Sequence, residues 1–256
     1  MAYPKRVVIT GLGAITVLGS SVQQFWEGLL QGRSGIRRIT QFDPSDYPCQ
    51  IAGEIPDFEP EKYMDRKEAR RISRSAQASL AAALQAVTDA GLPQTMPEPE
   101  RSGVIFGTAI GGFERLDEGI TVIRTQGLDR LNPFVLPSGI PNLSSFLISR
   151  QFQCLGPNST VTTACATGTQ AVGEGADYIR HGKADIVIAG GCEALIRDFS
   201  IAGFCAMRAL AVNFNSNPEK ASRPFDAKRE GFIFSEGAAA LVLEELEHAL
   251  RRGARI

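Results

Sequence analysis

The chain has 256 residues, 43% hydrophobic and 21% charged, the make-up of an ordinary globular protein long enough to bury a sizeable core. Its 27 Lys and Arg stand against 28 Asp and Glu, so overall charge gives no support to a nucleic-acid partner, and any acidic partner must be met by a local patch. The five cysteines are odd in number and show no C-x-x-C pair, which argues against a disulfide framework and a zinc site. No apolar stretch reaches the roughly 18 residues of a membrane helix, and residues 1–5 begin no signal peptide, so the expected address is cytoplasmic.

In chain order, residues 7–10 form a short apolar run that suits a buried parallel strand. Gly11-Leu12-Gly13 follows. The third glycine of a dinucleotide fingerprint is absent, with Thr16 in its place, so these glycines read as a turn and no cofactor is expected. The spacing over 22–30 predicts a helix that Gly32 stops. Residues 35–60, rich in Pro, Asp and Gly, read as surface loop with a short strand at 50–52. The longest helical region is 65–90. It begins with Arg66, Lys67, Arg70, Arg71 and Arg74 and becomes alanine-rich from 76 to 90. The small side chains suit a buried helix, whereas the basic start must face solvent or a partner.

A proline-bearing loop at 94–100 leads to an apolar strand at 103–107 and the turn Thr108-Ala109-Ile110-Gly111-Gly112. A loop at 133–141 precedes a helix at 143–151. Residues 159–163 are polar and β-branched, Ala164-Cys165-Ala166 are small, and Thr167-Gly168 open a helical run at 169–180. A second apolar strand, 184–189, ends in Gly190-Gly191. The pattern is strand, sharp turn, helix, strand, with a thiol at the turn.

A cysteine at such a bend meets the helix N-terminus, whose unpaired N–H groups and partial positive charge favour thiolate over thiol. The same N–H groups can receive negative charge developing on a carbonyl oxygen under attack. Cys165 therefore reads as a nucleophile for acyl transfer. A cysteine among small residues also suits a core, as Cys192 and Cys205 do here. Glu193 reads as an acceptor for backbone N–H groups. Residues 237–243 read as a strand, and 244–252 as a helix that Gly253 ends.

The run Thr163-Ala164-Cys165-Ala166-Thr167-Gly168 resembles the active-site motif of the β-ketoacyl-[acyl-carrier-protein] synthases, the condensing enzymes of fatty-acid and polyketide synthesis. The likeness extends through Ala184-Asp185, residues 189–194 and 204–210, and Ser222-Arg223-Pro224-Phe225-Asp226 with Arg229, Gly231 and Phe232. These blocks come in the family's order, residues 7–13 resemble its opening strand, and the elongating synthase II type is the nearest in kind.

The resemblance implies an α/β thiolase-like fold, layered α-β-α-β-α in the whole family. Residues 1–256 would be its N-terminal half, a first mixed sheet with flanking helices. Cys165 would accept an acyl group as a thioester, followed by decarboxylative Claisen condensation with malonyl-[acyl-carrier-protein]. Ile110 would limit chain length in an acyl pocket near a homodimer interface, beside loop 133–141, and Phe204 would belong to a gating region near the thiol. Both also read as core. Lys67, Arg70 and Arg71 would dock the acidic acyl carrier protein, with Arg130 and Arg208 as further members, although a basic cluster is also an ordinary solvated face. No metal is implied.

Glu230 stands where aspartate is usual, and Phe234-Ser235 where a small pair ending in glycine is usual. If that glycine serves a positive φ or a close backbone approach, Ser235 should be mildly strained. The family's two catalytic histidines and a Gly-Phe-Gly turn belong to a continuation past residue 256. His181 and His248 lie outside its catalytic motifs, in surface-helix contexts. The chain is thus expected not to complete the condensation alone, and to leave an apolar helix layer uncovered. Two other readings compete. One is a non-catalytic carrier-docking or dimerisation module of a polyketide-type synthase, against which the retained Cys165 argues. The other is a cysteine hydrolase, which needs a histidine base that no motif supplies.

Overall fold

Central strands buried on both faces build the fold, described for residues 5–256 in a computed structural model. Residues 1–4 of the opening tested for a signal peptide lie outside the described residues. The elements are β1 (Val7–Thr16), α1 (Val22–Leu30), β2 (Ile36–Arg38), β3 (Ile51–Gly53), α2 (Arg66–Ala69), α3 (Arg74–Asp89), β4 (Ser102–Thr108) and α4 (Phe113–Thr125). There follow α5 (Val135–Gly139), α6 (Leu143–Phe152), β5 (Asn158–Val161), α7 (Thr167–Arg180), β6 (Ile186–Glu193), α8 (Asp198–Ala206), β7 (Gly237–Glu245) and α9 (Leu246–Arg251).

Five strands make a mixed sheet in the order β1-β7-β6-β4-β5. β4 runs parallel to both β5 and β6, while β7 is antiparallel to β6 and β1. On one face Val104, Phe106, Ile186 and Ile188 pack against α3 and α6; on the other Ile105, Val187, Ala189 and Leu243 pack against α7. The period-two alternation of β4 and β6 thus sorts their side chains between two helix layers, as buried strands require. Each large side chain sealed in this way, such as Phe106 or Ile188, contributes roughly 1.5–3 kcal/mol. A second cluster, with Ile39, Cys49, Ile51, Ile196, Ile201 and Leu210, forms where β2 and β3 meet the segments after β6 and α8.

β1 corrects the reading of the opening. It is an antiparallel strand of 10 residues that continues through Gly11-Leu12-Gly13, with an irregularity between Ile9 and Gly11. A Cβ on Gly11 would lie 2.1 Å from the Ala86 carbonyl oxygen, and one on Gly13 1.9 Å from that of Ala82. The glycines therefore admit α3 directly onto the strand, and they make no turn.

Region 65–90 is likewise two helices. Asp65 caps α2 by accepting from the N–H groups of Lys67 and Glu68, and Ser73 caps α3 through Ala76 N–H. The basic start is thereby separated from a helix whose Ala76, Ala78 and Ala81 to Ala83 are fully buried. The exposed positions of α7 are Thr169, Gln170, Gly173, Asp177 and Arg180, so the outward side of that helix is polar or small in place of the expected apolar one. Large apolar side chains are exposed at scattered positions, among them Trp26, Leu128, Leu155, Met207 and Phe225, and at Leu136, Ile140 and Phe146 on and beside α5 and α6.

Candidate active site

Because β4, β5 and β6 are parallel, with Gly107 opposite Val161 and Thr108 opposite Cys192, the segments that follow them leave one edge of the sheet together. The carboxyl ends of parallel strands are where open α/β sheets bind ligands. Cys165 stands there in a single 3-10 turn, Ala164–Ala166, immediately before α7. Ala164 has φ 50°, the left-handed region, which strains a non-glycine residue by about 1–2 kcal/mol. The turn is held by Ala166 N–H donating to the Thr163 carbonyl (3.1 Å) and Thr163 N–H donating to Thr167 Oγ1 (2.8 Å). No side chain caps α7, and Cys165 N–H donates to no acceptor among the described residues.

Two glycines bring this helix end down onto the strands. A Cβ on Gly107 would lie 2.2 Å from Thr167 Cγ2, and one on Gly191 3.0 Å from Gly168 Cα. Cys165 is the exposed cysteine of the five. Burial pushes the Cys154 thiol up to about 12 and the Cys192 thiol up to about 11, and it raises that of Cys49, so these remain protonated packing groups. Half-buried Cys205 packs in the second cluster.

The turn after β4 is built around a carboxylate. Glu193, the last residue of β6, accepts from Ala109 N–H (3.0 Å), Ile110 N–H (3.3 Å) and Thr108 Oγ1 (3.2 Å). This is the acceptor role read from the sequence. Burial raises its pKa against the pull of these hydrogen bonds. Ile110 is half-buried on this turn. Residues 133–141, expected as loop, contain the short helix α5, whose Ser138 carbonyl oxygen would sit 2.1 Å from a Cβ on Gly112. Phe204 is held on α8 against Phe232 (5.1 Å between ring centroids) and Phe234 (5.3 Å). Its immediate setting is that aromatic cluster.

The basic residues separate into two places. Arg70, Arg71 and Arg130 line one cleft of about 120 Å³ together with Arg115, and Lys67 and Arg71 line a neighbouring one of about 430 Å³ with Phe134, Phe146 and Arg150. The Arg71 guanidinium lies 4.3 Å from the Phe134 ring centre. Arg208 lies apart, in a cleft with Cys205, Leu210 and Glu230. Arg115 and Arg150, on α4 and α6, belong to no basic run in the sequence, and only packing decides which way each faces.

His181 is a surface residue whose Nδ1 lies 2.7 Å from the Asp177 carbonyl oxygen. His248 departs from the surface expectation: its Nδ1 lies 2.5 Å from Glu244 Oε1, and that fully buried carboxylate also binds Thr10 and Arg252. Ser235 is outside the left-handed region, so no strain arises from a positive φ, while the close approach is present: its Oγ stands 2.4 Å from where a Cβ on Gly53 would lie. Glu230 accepts from Asn213 N–H and Nδ2. Among the described residues no group of three His, Cys, Asp or Glu could hold a metal ion, and no helix is long and apolar enough to cross a membrane.

The family model described as β-ketoacyl synthase, N-terminal domain, matches residues 4–249. The chain belongs to the β-ketoacyl synthase family. It is 44% identical over 252 residues to 3-oxoacyl-[acyl-carrier-protein] synthase 2 of Synechocystis, a match that covers 98% of this chain and 60% of that protein. The corresponding synthase 2 of Staphylococcus aureus is 43% identical over 256 residues, covering 100% and 61%. The chain thus spans about 60% of the length of these relatives.

Among solved structures, a β-ketoacyl synthase from Burkholderia phymatum superposes with a TM-score of 0.87 at 33% identity, covering 98% of this chain and 62% of that one. A type II polyketide ketosynthase in complex with its acyl-carrier protein, bound to the hexaketide, has a TM-score of 0.83 at 30% identity, covering 99% and 61%. The mixed sheet between helix layers is therefore the β-ketoacyl synthase arrangement, as the motif order implied.

Proposed function

We propose that this chain is the nucleophile-bearing part of a 3-oxoacyl-[acyl-carrier-protein] synthase of the synthase II kind and takes an acyl group onto Cys165. The observation that carries the reading is an exposed thiol on a strained turn where three parallel strands end and α7 begins. Sγ attacks the thioester carbonyl, the oxyanion is received by N–H groups at the helix start, and the carrier's thiol departs with the proton.

Condensation then needs donors for the enolate left when a malonyl thioester loses carbon dioxide. His181 and His248 are engaged elsewhere, so the chain by itself acylates without condensing. The acyl donor is an acyl carrier protein, met by Lys67, Arg70, Arg71 and Arg130, which gather about two adjoining clefts. Ile110 lines the acyl pocket, and a second copy of the chain covers the exposed apolar side chains near α5 and α6 in a homodimer.

Iodoacetamide labelling, acyl transfer and malonyl decarboxylation, assayed side by side, test this reading. Labelling and acylation at Cys165 without decarboxylation is the expected result. An unreactive Cys165 would leave the docking module as the better account, and release of free acid would point to a hydrolase.

A further inference from the structure

Three consecutive backbone N–H groups follow β4, and each has its acceptor at one place. Ala109 N–H and Ile110 N–H donate to a single oxygen of Glu193, at 3.0 and 3.3 Å. Gly111 N–H donates to Thr108 Oγ1 at 3.0 Å, and that hydroxyl donates on to the other oxygen of Glu193 at 3.2 Å. Such a run of inward N–H groups is a concavity for an anion, and here the anion is a side chain of the chain itself. Gly111, at φ 76°, completes the curl.

The carboxylate is itself fixed. Glu193 ends β6, with its backbone paired to Gly237 of β7, so it belongs to the central strands. The turn is braced from the other side as well. Gly112 abuts the Ser138 carbonyl oxygen and Gly111 abuts Pro141. With neighbours on both sides, the position of Ile110 depends on how closely residues 109–111 are drawn toward Glu193.

We infer that Glu193 is a positioning residue for acyl specificity: by gathering the N–H groups of residues 109–111, directly and through Thr108, it fixes the Ile110 wall and hence the chain length that Cys165 accepts. This rests on Ile110 lining the acyl pocket. Glu193 touches no substrate and transfers no proton. Glutamine at this position keeps one acceptor oxygen but turns an NH2 group toward donors, whereas alanine removes every acceptor.

The test compares Glu193→Ala, Glu193→Gln, Thr108→Val and Ile110→Ala with the unaltered chain. It reads the rates at which hexanoyl and dodecanoyl N-acetylcysteamine thioesters acylate Cys165, and amide hydrogen exchange over 109–111. Glu193→Ala should speed exchange at these amides and change the dodecanoyl-to-hexanoyl ratio by about tenfold, in the same direction as Ile110→Ala. Glu193→Gln and Thr108→Val should fall between. Iodoacetamide labelling of Cys165 should stay at the unaltered rate, which separates repositioning from unfolding. If Glu193→Ala unfolds the chain, the Gln variant carries the comparison.

A ratio that shifts in Ile110→Ala but stays unaltered in the Glu193 variants would overturn the inference and leave the pocket intact. A ratio indifferent to Ile110→Ala, with the amides still opened by Glu193→Ala, would overturn the pocket assignment and the inference with it.

Discussion

Gly107 and Thr167 are in such close contact that a Cβ on the glycine would stand 2.2 Å from the threonine methyl and 2.4 Å from the Val161 carbonyl oxygen. This contact seats the start of α7, and with it Cys165, on the ends of β4 and β5. Gly107→Ala must push the helix end outward. Overpacking of this kind costs about 1–3 kcal/mol, toward the upper end here because one neighbour is backbone. Denaturant unfolding should show that loss, and Cys165 should acylate more slowly even where the fold survives.

The Arg74–Glu236 pair ties the start of α3 to the segment before β7. Arg74 Nε and Nη2 reach the carboxylate at 2.8 and 3.0 Å, and the Glu236 side chain is fully buried. Arg74→Ala strands that charge. The expected destabilisation is about 2–4 kcal/mol, below that of a wholly enclosed pair because the arginine keeps some solvent. Arg74→Lys should recover only part of it, since a lysine cannot grip both oxygens in one plane. Urea titration checks both variants.

Asp185 gives an acid-range prediction. Arg101, hydrogen-bonded to both carboxylate oxygens, and then Lys5 hold its pKa down to about 2 from 3.8. A carboxylate depressed by folding contributes stability that is present above pH 3.8 and is lost as pH falls through about 2. The contribution is roughly 2 kcal/mol. Asp185→Asn should lower stability at pH 7 and flatten its decline between pH 4 and pH 2, as read by unfolding at each pH.

The basic clefts give a prediction about the donor. Charge reversal at Lys67, Arg70 and Arg71 together should slow acylation from an acyl carrier protein and spare small acyl thioesters. Each surface pair is worth only ~0–1 kcal/mol, so the effect should fall mainly on association rate and should fade as salt rises. Arg130→Glu should add to it because Arg130 shares the cleft of Arg70 and Arg71. Equal slowing with both donor types would rule docking out.

What the sequence revealed depended on whether the cause of a feature was local. The Cys165 elbow was legible because a polar strand, three small residues and a helical run lie within one stretch of chain. Gly11 and Gly13 read locally as a turn, because the reason for them, the carbonyl oxygens of Ala86 and Ala82, lies some 70 residues away. The alanines of α3 were correctly read as close-packing, but only the fold pairs them with those glycines. The antiparallel sense of β1 is set by β7 at the far end of the chain. Phe204 carried no local mark of its partners Phe232 and Phe234, and His248 none of its burial against Glu244.

An acyl transferase of the kind proposed requires that Cys165 alone be presented for acylation. Peptide mapping by mass spectrometry after exposure to excess hexanoyl N-acetylcysteamine thioester tests it most directly. One acyl group per chain is expected, on the peptide bearing Cys165, and none on those bearing Cys49, Cys154, Cys192 or Cys205. An unmodified Cys165, or acyl groups spread over the other cysteines, would contradict it.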